Sequence, residues 1–172
     1  MGQSELAFRA QLVVREQRQI YDYWCACAGN LNMPSRGDIN PSDIPHLLPF
    51  VSLIDIEEDP VRYKVRLAGT SLYDIYGGEI TGKYVDDLDW APNQDYWISS
   101  FRRVVEAALP AQGVVRSPYE RNEHLTQFWL RLPLANAEGK ICMILCYDAF
   151  VPITEAITLV DELPSSSNIA RA

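Results

Sequence analysis

The sequence predicts an α+β fold built on a five-stranded antiparallel sheet, and three observations carry that reading. Residues 61–67 alternate, with Val61, Tyr63, Val65 and Leu67 on one side and Arg62, Lys64 and Arg66 on the other, and the run ends at Gly69. Residues 141–147, Ile-Cys-Met-Ile-Leu-Cys-Tyr, are apolar at every position, which suits a strand in the middle of a sheet, covered on both faces. Between these runs, residues 93–109 place Trp97, Phe101, Val104, Val105 and Ala108 on one helical stripe.

Taken in order, residues 4–30 read as one or two helical segments, with Ile20, Trp24, Cys27 and Leu31 at helical spacing and a stop at Gly29-Asn30. Residues 32–45 carry Pro34, Gly37, Pro41 and Pro45, so they form a connector. A strand over 50–56, a turn at Glu58-Asp59-Pro60 and the partner strand over 61–68 make a hairpin. Residues 70–92 hold short helices and loops, the first helix closing at Gly77-Gly78, and Pro110 ends the long helix of 93–109. Strands follow at 111–119 and 125–134, and Asn136-Ala-Glu-Gly139 turns the chain into the last one, at 141–150. The expected organisation is a helical segment over 1–31, a sheet domain over 32–152 and a tail over 153–172, in which Ser165-Ser-Ser-Asn168 frays.

At 172 residues and 48% hydrophobic the chain buries one substantial core. A net charge of −8, with no local cluster of Lys and Arg, argues against phosphate recognition and hence against nucleic acid. There is no basic stretch followed by an apolar one at the N-terminus and no run of membrane-spanning length, so a cytoplasmic protein without a membrane role is expected. Cys25, Cys27, Cys142 and Cys146 read as reduced core residues, and strand alternation puts the last two on one face.

The ordered elements Tyr23-Trp24, Met33-Pro-Ser-Arg-Gly-Asp38, Leu47-Leu-Pro49, Arg66-Leu-Ala-Gly-Thr70, Thr81-Gly82 and Leu132-Pro-Leu134 closely resemble the bacterial single-domain PAS family of the PAS_5 type, over residues 20–150. The resemblance implies a sheet in the order second, first, fifth, fourth, third strand, with pocket helices over one face and the N-terminal helix against the other. It implies sensing of a small molecule, light or redox state, or dimerisation alone, and it names no cofactor. A covalent flavin or cinnamate photoreceptor would require a cysteine that residues 73–89 lack.

Each conspicuous residue has two readings. Arg66 either meets an anion or pairs with Asp55 on the neighbouring strand. Tyr73, Tyr76, Tyr84, Trp97 and Phe101, with Tyr63 and Phe128 from the sheet, either surround a ligand or fill the core. Of these, Tyr63, Tyr73, Tyr76, Trp97, Phe101 and Phe128 are the expected ligand contacts. Gly69 and Thr70 end a strand and cap a helix. His46 and His124 are poorly placed for haem, the cysteine spacings do not suit zinc, and Asp86, Asp87 and Asp89 read as a solvated cap before Trp90. No phosphate loop, nucleophile elbow or metalloprotease motif is present, so no enzyme is expected. The expected function is a stand-alone sensory or regulatory domain that binds a small molecule or a signalling partner. The alternatives are a ligand-free interaction scaffold and a small enzyme on a cone-shaped α+β fold. A homodimer is expected through Leu6, Phe8, Leu12, Val13, Val14, Ile20 and Trp24, which carry more apolar surface than one sheet face needs.

Overall fold

A computed structural model of the chain describes residues 2–88, 93–117, 122–161 and 170–171. Helices α1 (Gln3–Ala10) and α2 (Arg15–Ala28) lead through a proline-rich connector of short 3₁₀ turns into the hairpin β1 (Val51–Glu58) and β2 (Val61–Ala68). Then come α3 (Thr70–Tyr76), α4 (Gln94–Ala107), β3 (Ala111–Arg116), β4 (Leu125–Ala135), β5 (Ile141–Pro152), α5 (Ile153–Asp161) and the two-residue β6 (Ala170–Arg171). One sheet runs β2-β1-β5-β4-β3-β6. Its first five strands are antiparallel neighbours in the expected order, and β6 adds in parallel to the edge at Gly113 and Val114. Asp89, Trp90, residues 118–119 of the third expected strand and the run at 165–168 lie outside the described residues.

Local chemistry explains most boundaries. Gly29, at φ 58°, and Gly77, at φ 73°, close α2 and α3 in conformations that other residues adopt at a cost. Gly69 has an ordinary φ of −66°, and its reason is space: a Cβ there would run into the carbonyl oxygens of Leu48 and Pro49. Its N–H donates to the Val51 carbonyl at 2.7 Å, locking β2 against the entry to β1. Gly69 itself is the N-cap of α3 and makes no side-chain cap, so the expected capping role of Thr70 does not hold. The segment after residue 152, expected as a tail, begins with α5, whose Ala156 is buried in the core.

Helix α2 covers one face of the sheet, here called outer, burying Ile20, Tyr21 and Trp24 against Leu130, Leu132, Leu134, Leu145 and Tyr147. The Trp24 indole donates to the Pro133 carbonyl at 2.9 Å, which satisfies its polar atom inside the apolar layer. Leu12, Val13, Val14, Ile20 and Trp24 are thereby buried within the single chain, which removes the surplus apolar surface on which the dimer argument rested. Leu6 stays exposed, and so does Leu31, which lies beyond the helix stop rather than on its stripe.

Two register shifts reset the alternation. Leu53 opposes Leu67 while Ile54 opposes Val65, so Arg66 is the extra residue of a bulge. Leu67 therefore leaves the side of Tyr63 and Val65, against expectation, and stands 47% exposed. It lines, with Ile39, Ile44, Leu53 and Leu145, an aliphatic groove of about 340 Å³ beneath the connector. On β5 the partner of Leu134 is Met143 and that of Ala135 is Ile141, which leaves Cys142 bulged. Cys142 consequently packs with the outer layer and Cys146 with the inner one, so the two do not share a face.

Candidate functional site on the inner sheet face

The inner face lies under α4, with Ile80, Val85 and Leu88 packed in the same layer. At 14 residues α4 is the longest helix described apart from α2, and it presents Trp97, Ser100, Phe101 and Val104 to the sheet. These meet Ile54, Tyr63, Val65, Ala111, Val115, Trp129, Ile144 and Cys146 in a second core layer. Tyr63 stacks on Phe101 with ring centroids 5.3 Å apart, and Trp97 meets Trp129 edge-on at 6.3 Å. The Trp129 indole donates to the Tyr96 hydroxyl at 2.8 Å. Gly113, opposite Trp129 on β3, is glycine because a Cβ would enter the six-membered ring of that indole.

Within this aromatic enclosure sits an ion pair. Arg131 of β4 is 3% exposed and Asp148 of β5 is 2% exposed. Arg131 donates through Nη1 to Oδ2 at 3.0 Å and through Nη2 to Oδ1 at 2.9 Å. Its guanidinium carbon lies 5.2 Å from the Phe101 centroid, 5.5 Å from that of Trp129 and 5.7 Å from that of Trp97. Burial by itself would lower the Arg131 pKa, but the charge of Asp148 and its hydrogen bonds outweigh this and raise it, so the guanidinium keeps its charge. Gln127 joins the same carboxylate, Nε2 donating to Oδ1 at 2.9 Å. Among the described residues, Arg131 Nε and Gln127 Oε1 are buried without a hydrogen-bond partner. Burial pushes the neighbouring Cys146 thiol up to about 12, which keeps it neutral.

Four of the six expected contact residues gather here: Tyr63, Trp97 and Phe101 are buried in the layer, and Tyr76 packs against it. Two do not. Tyr73 is 55% exposed because Leu72 and Tyr76, four residues apart, take the inward side of α3. It borders a surface groove of about 250 Å³ with Gly69, Thr70 and Ile80. Phe128 belongs to the outer layer, its place on the inner face being taken by Trp129. Reading the sequence by aromatics alone missed Gln127, Arg131 and Asp148, although the signal was present as one arginine inside the apolar run 128–134 and one aspartate inside 141–150.

The other conspicuous residues lie elsewhere. Arg66 pairs with Asp55 at 3.2 Å, as expected of the second reading, but on an exposed surface. Asp86 and Asp87 flank Arg62, whose guanidinium lies 3.6 Å from the Tyr84 ring centroid. The groove of about 340 Å³ on the outer side is lined mainly by aliphatic side chains, with Arg36 and Thr70 among its lining residues.

Solved structures share this architecture. VqmA bound to DPO superposes with a TM-score of 0.52 at 12% identity, over 65% of this chain and 58% of that one. A light-oxygen-voltage domain studied with a flavin analogue gives 0.52 at 13% identity, over 70% and 90% of the two chains. The VqmA dimer of Vibrio cholerae without target DNA gives 0.50 at 13% identity, over 67% and 53%. This chain thus spans little more than half of VqmA, and at such identities the likeness is one of fold. No curated protein is detectably similar in sequence. The family profile described as PAS domain, PAS_5, matches residues 13–147, from just before α2 to Tyr147 of the central strand, and the chain belongs to that family.

Proposed function

We propose that this PAS domain is a sensory or regulatory module that holds a small molecule against its inner sheet face and signals through a protein partner. The observation that carries the reading is the pair of unpartnered buried atoms, Arg131 Nε and Gln127 Oε1, inside an aromatic enclosure. An unmatched buried polar atom costs about 1–3 kcal/mol, a cost that an occupant with matching groups removes. Tyr63, Tyr76, Trp97, Phe101 and Trp129 supply the surrounding walls. VqmA bound to DPO, similar in fold, lends support. The four unpaired cysteines suit a reducing compartment such as the cytoplasm.

Native mass spectrometry of freshly purified protein beside a denatured control tests the proposal. A retained mass that disappears on denaturation is expected. A bare polypeptide mass, together with no ligand-induced rise in Tm across a broad metabolite screen, would overturn it.

One observation favours the scaffold reading instead: the Arg131 guanidinium itself stands among the three rings of Trp97, Phe101 and Trp129. In that case Trp97→Ala would only destabilise the fold. A homodimer is retained as part of the proposal on an exposed surface that keeps only Leu6 of the residues first expected. Leu6, Leu31 and Leu109 are exposed, and the last two border a groove of about 720 Å³ between the first two helices and the end of α4. Light scattering showing a monomer at micromolar concentration would remove it.

A further inference from the structure

We infer that the molecule held on the inner face is electrically neutral and carries both a hydrogen-bond acceptor, for Arg131 Nε, and a donor, for Gln127 Oε1, as an amide or lactam does. The inference rests on the sensory reading above and specifies its ligand.

Charge decides the first half. Among the described buried residues Arg131 and Asp148 are the only charged ones, and they face each other through two hydrogen bonds. The carboxylate also accepts from Gln127, so it is engaged by three donors in all. The enclosure is therefore neutral before anything enters. An anion would leave one uncompensated negative charge in a buried site, and a cation one positive charge, each with its desolvation uncompensated. A cation would also find the faces of Phe101, Trp97 and Trp129 already taken by the guanidinium.

Hydrogen bonding decides the second half. A wholly apolar molecule would bury the Arg131 N–H and the Gln127 carbonyl without satisfying either. Arg131 Nη1 and Nη2 both bond Asp148, with Nη1 also donating to the Leu130 carbonyl at 3.1 Å, whereas Nε has no partner. Gln127 Nε2 bonds Asp148, whereas its carbonyl oxygen has no partner. The two wholly unpartnered atoms of the cluster are thus one donor and one acceptor, on side chains held by the same carboxylate. A site built on such groups rejects an analogue that lacks the matching atoms more strongly than it rejects a change of size.

Ligands matched in shape and differing in charge test this: benzamide, benzoate and toluene, then indole-3-acetamide, indole-3-acetate and 3-ethylindole, scored by Tm shift and titration calorimetry. The amides should raise Tm and move the Arg131 Nε–H resonance, and should bind at least tenfold more tightly than the carboxylates. Gln127→Met and Arg131→Lys should each weaken amide binding at least tenfold and leave binding of the hydrocarbons unchanged, with the first variant serving if the second fails to fold. Carboxylates that bind as well as amides, or amides that bind both variants undiminished, would overturn the ligand class. A charged molecule retained in the native mass spectrum would overturn the class and leave the sensory reading standing. No retained mass and no shift from any of the six probes would remove both.

Discussion

The two faces of the sheet are built from the same strands by opposite rules. On the outer face β4 and β5 present Phe128, Leu130, Leu132, Leu134, Leu145 and Tyr147 to α2, an apolar layer whose one buried indole N–H finds a backbone carbonyl. On the inner face the intervening residues of β4 are Gln127, Trp129 and Arg131, with Asp148 opposite. The outer layer gains from nearly every atom buried, the exception being Gln17 Nε2 of α2, which is buried without a hydrogen-bond partner. The inner one takes an ion pair out of water, an arrangement that well-packed hydrophobic residues of similar volume often match or exceed in stability. A charged cluster kept at that cost marks the face where function should be sought, while the outer face, Gln17 apart, is apolar packing.

The contrast breaks most directly at Arg131. Arg131→Met should cost about 3–5 kcal/mol, because Asp148 is left buried and charged, whereas adding Asp148→Leu should restore most of that loss. Urea unfolding of both variants measures it, and a single-variant cost below about 1 kcal/mol would mean the pair is hydrated rather than buried.

On the outer side, Leu132→Ala should cost about 3 kcal/mol by leaving a cavity, and should leave the inner aromatic signals of the near-ultraviolet dichroism unchanged. A change in those signals would show that the two layers are not independent.

A smaller effect, about 2 kcal/mol, is expected for Gly113→Ala, which displaces the Trp129 ring from β3. Tryptophan fluorescence should shift with it, and an unshifted spectrum at wild-type stability would contradict the close approach.

The smallest effect is alkaline. The Cys146 thiol is raised from 9.0 to about 12 by burial, so the folded state keeps a proton that the unfolded chain has lost. Its contribution is full below about pH 9 and is lost as pH rises toward 12, which amounts to about 1 kcal/mol between pH 9 and 10. Tyr147, raised mainly by burial on the outer face, adds a loss of the same sign. Cys146→Ala should therefore flatten the stability profile between pH 9 and 10 by the inner share alone, and an unchanged slope would place the thiol in solvent.

By itself the sequence determined the elements and their order. The bounds of β2 are those expected, α4 starts one residue later, and the stops at Gly29 and Gly77 are where glycine stands. Hydrogen bonds between neighbours, helical periodicity and glycine's access to positive φ act over a few residues, so their traces are local. It also determined that β5 is central, since an unbroken apolar run suits only a strand covered on both sides.

Only the tertiary structure decided which residue faces which layer. Along β4 the pattern of apolar residues has no exposed side to set its phase, so Phe128 and Trp129 were interchangeable until α2 and α4 took their places. Single extra residues at Arg66 and Cys142 invert everything beyond them, and such a bulge is set by the partner strand rather than by the residue itself. The meeting of Arg131 with Asp148, seventeen residues apart on adjacent strands, likewise follows from register, because a buried charge becomes tolerable only when the fold delivers its partner to hydrogen-bonding distance.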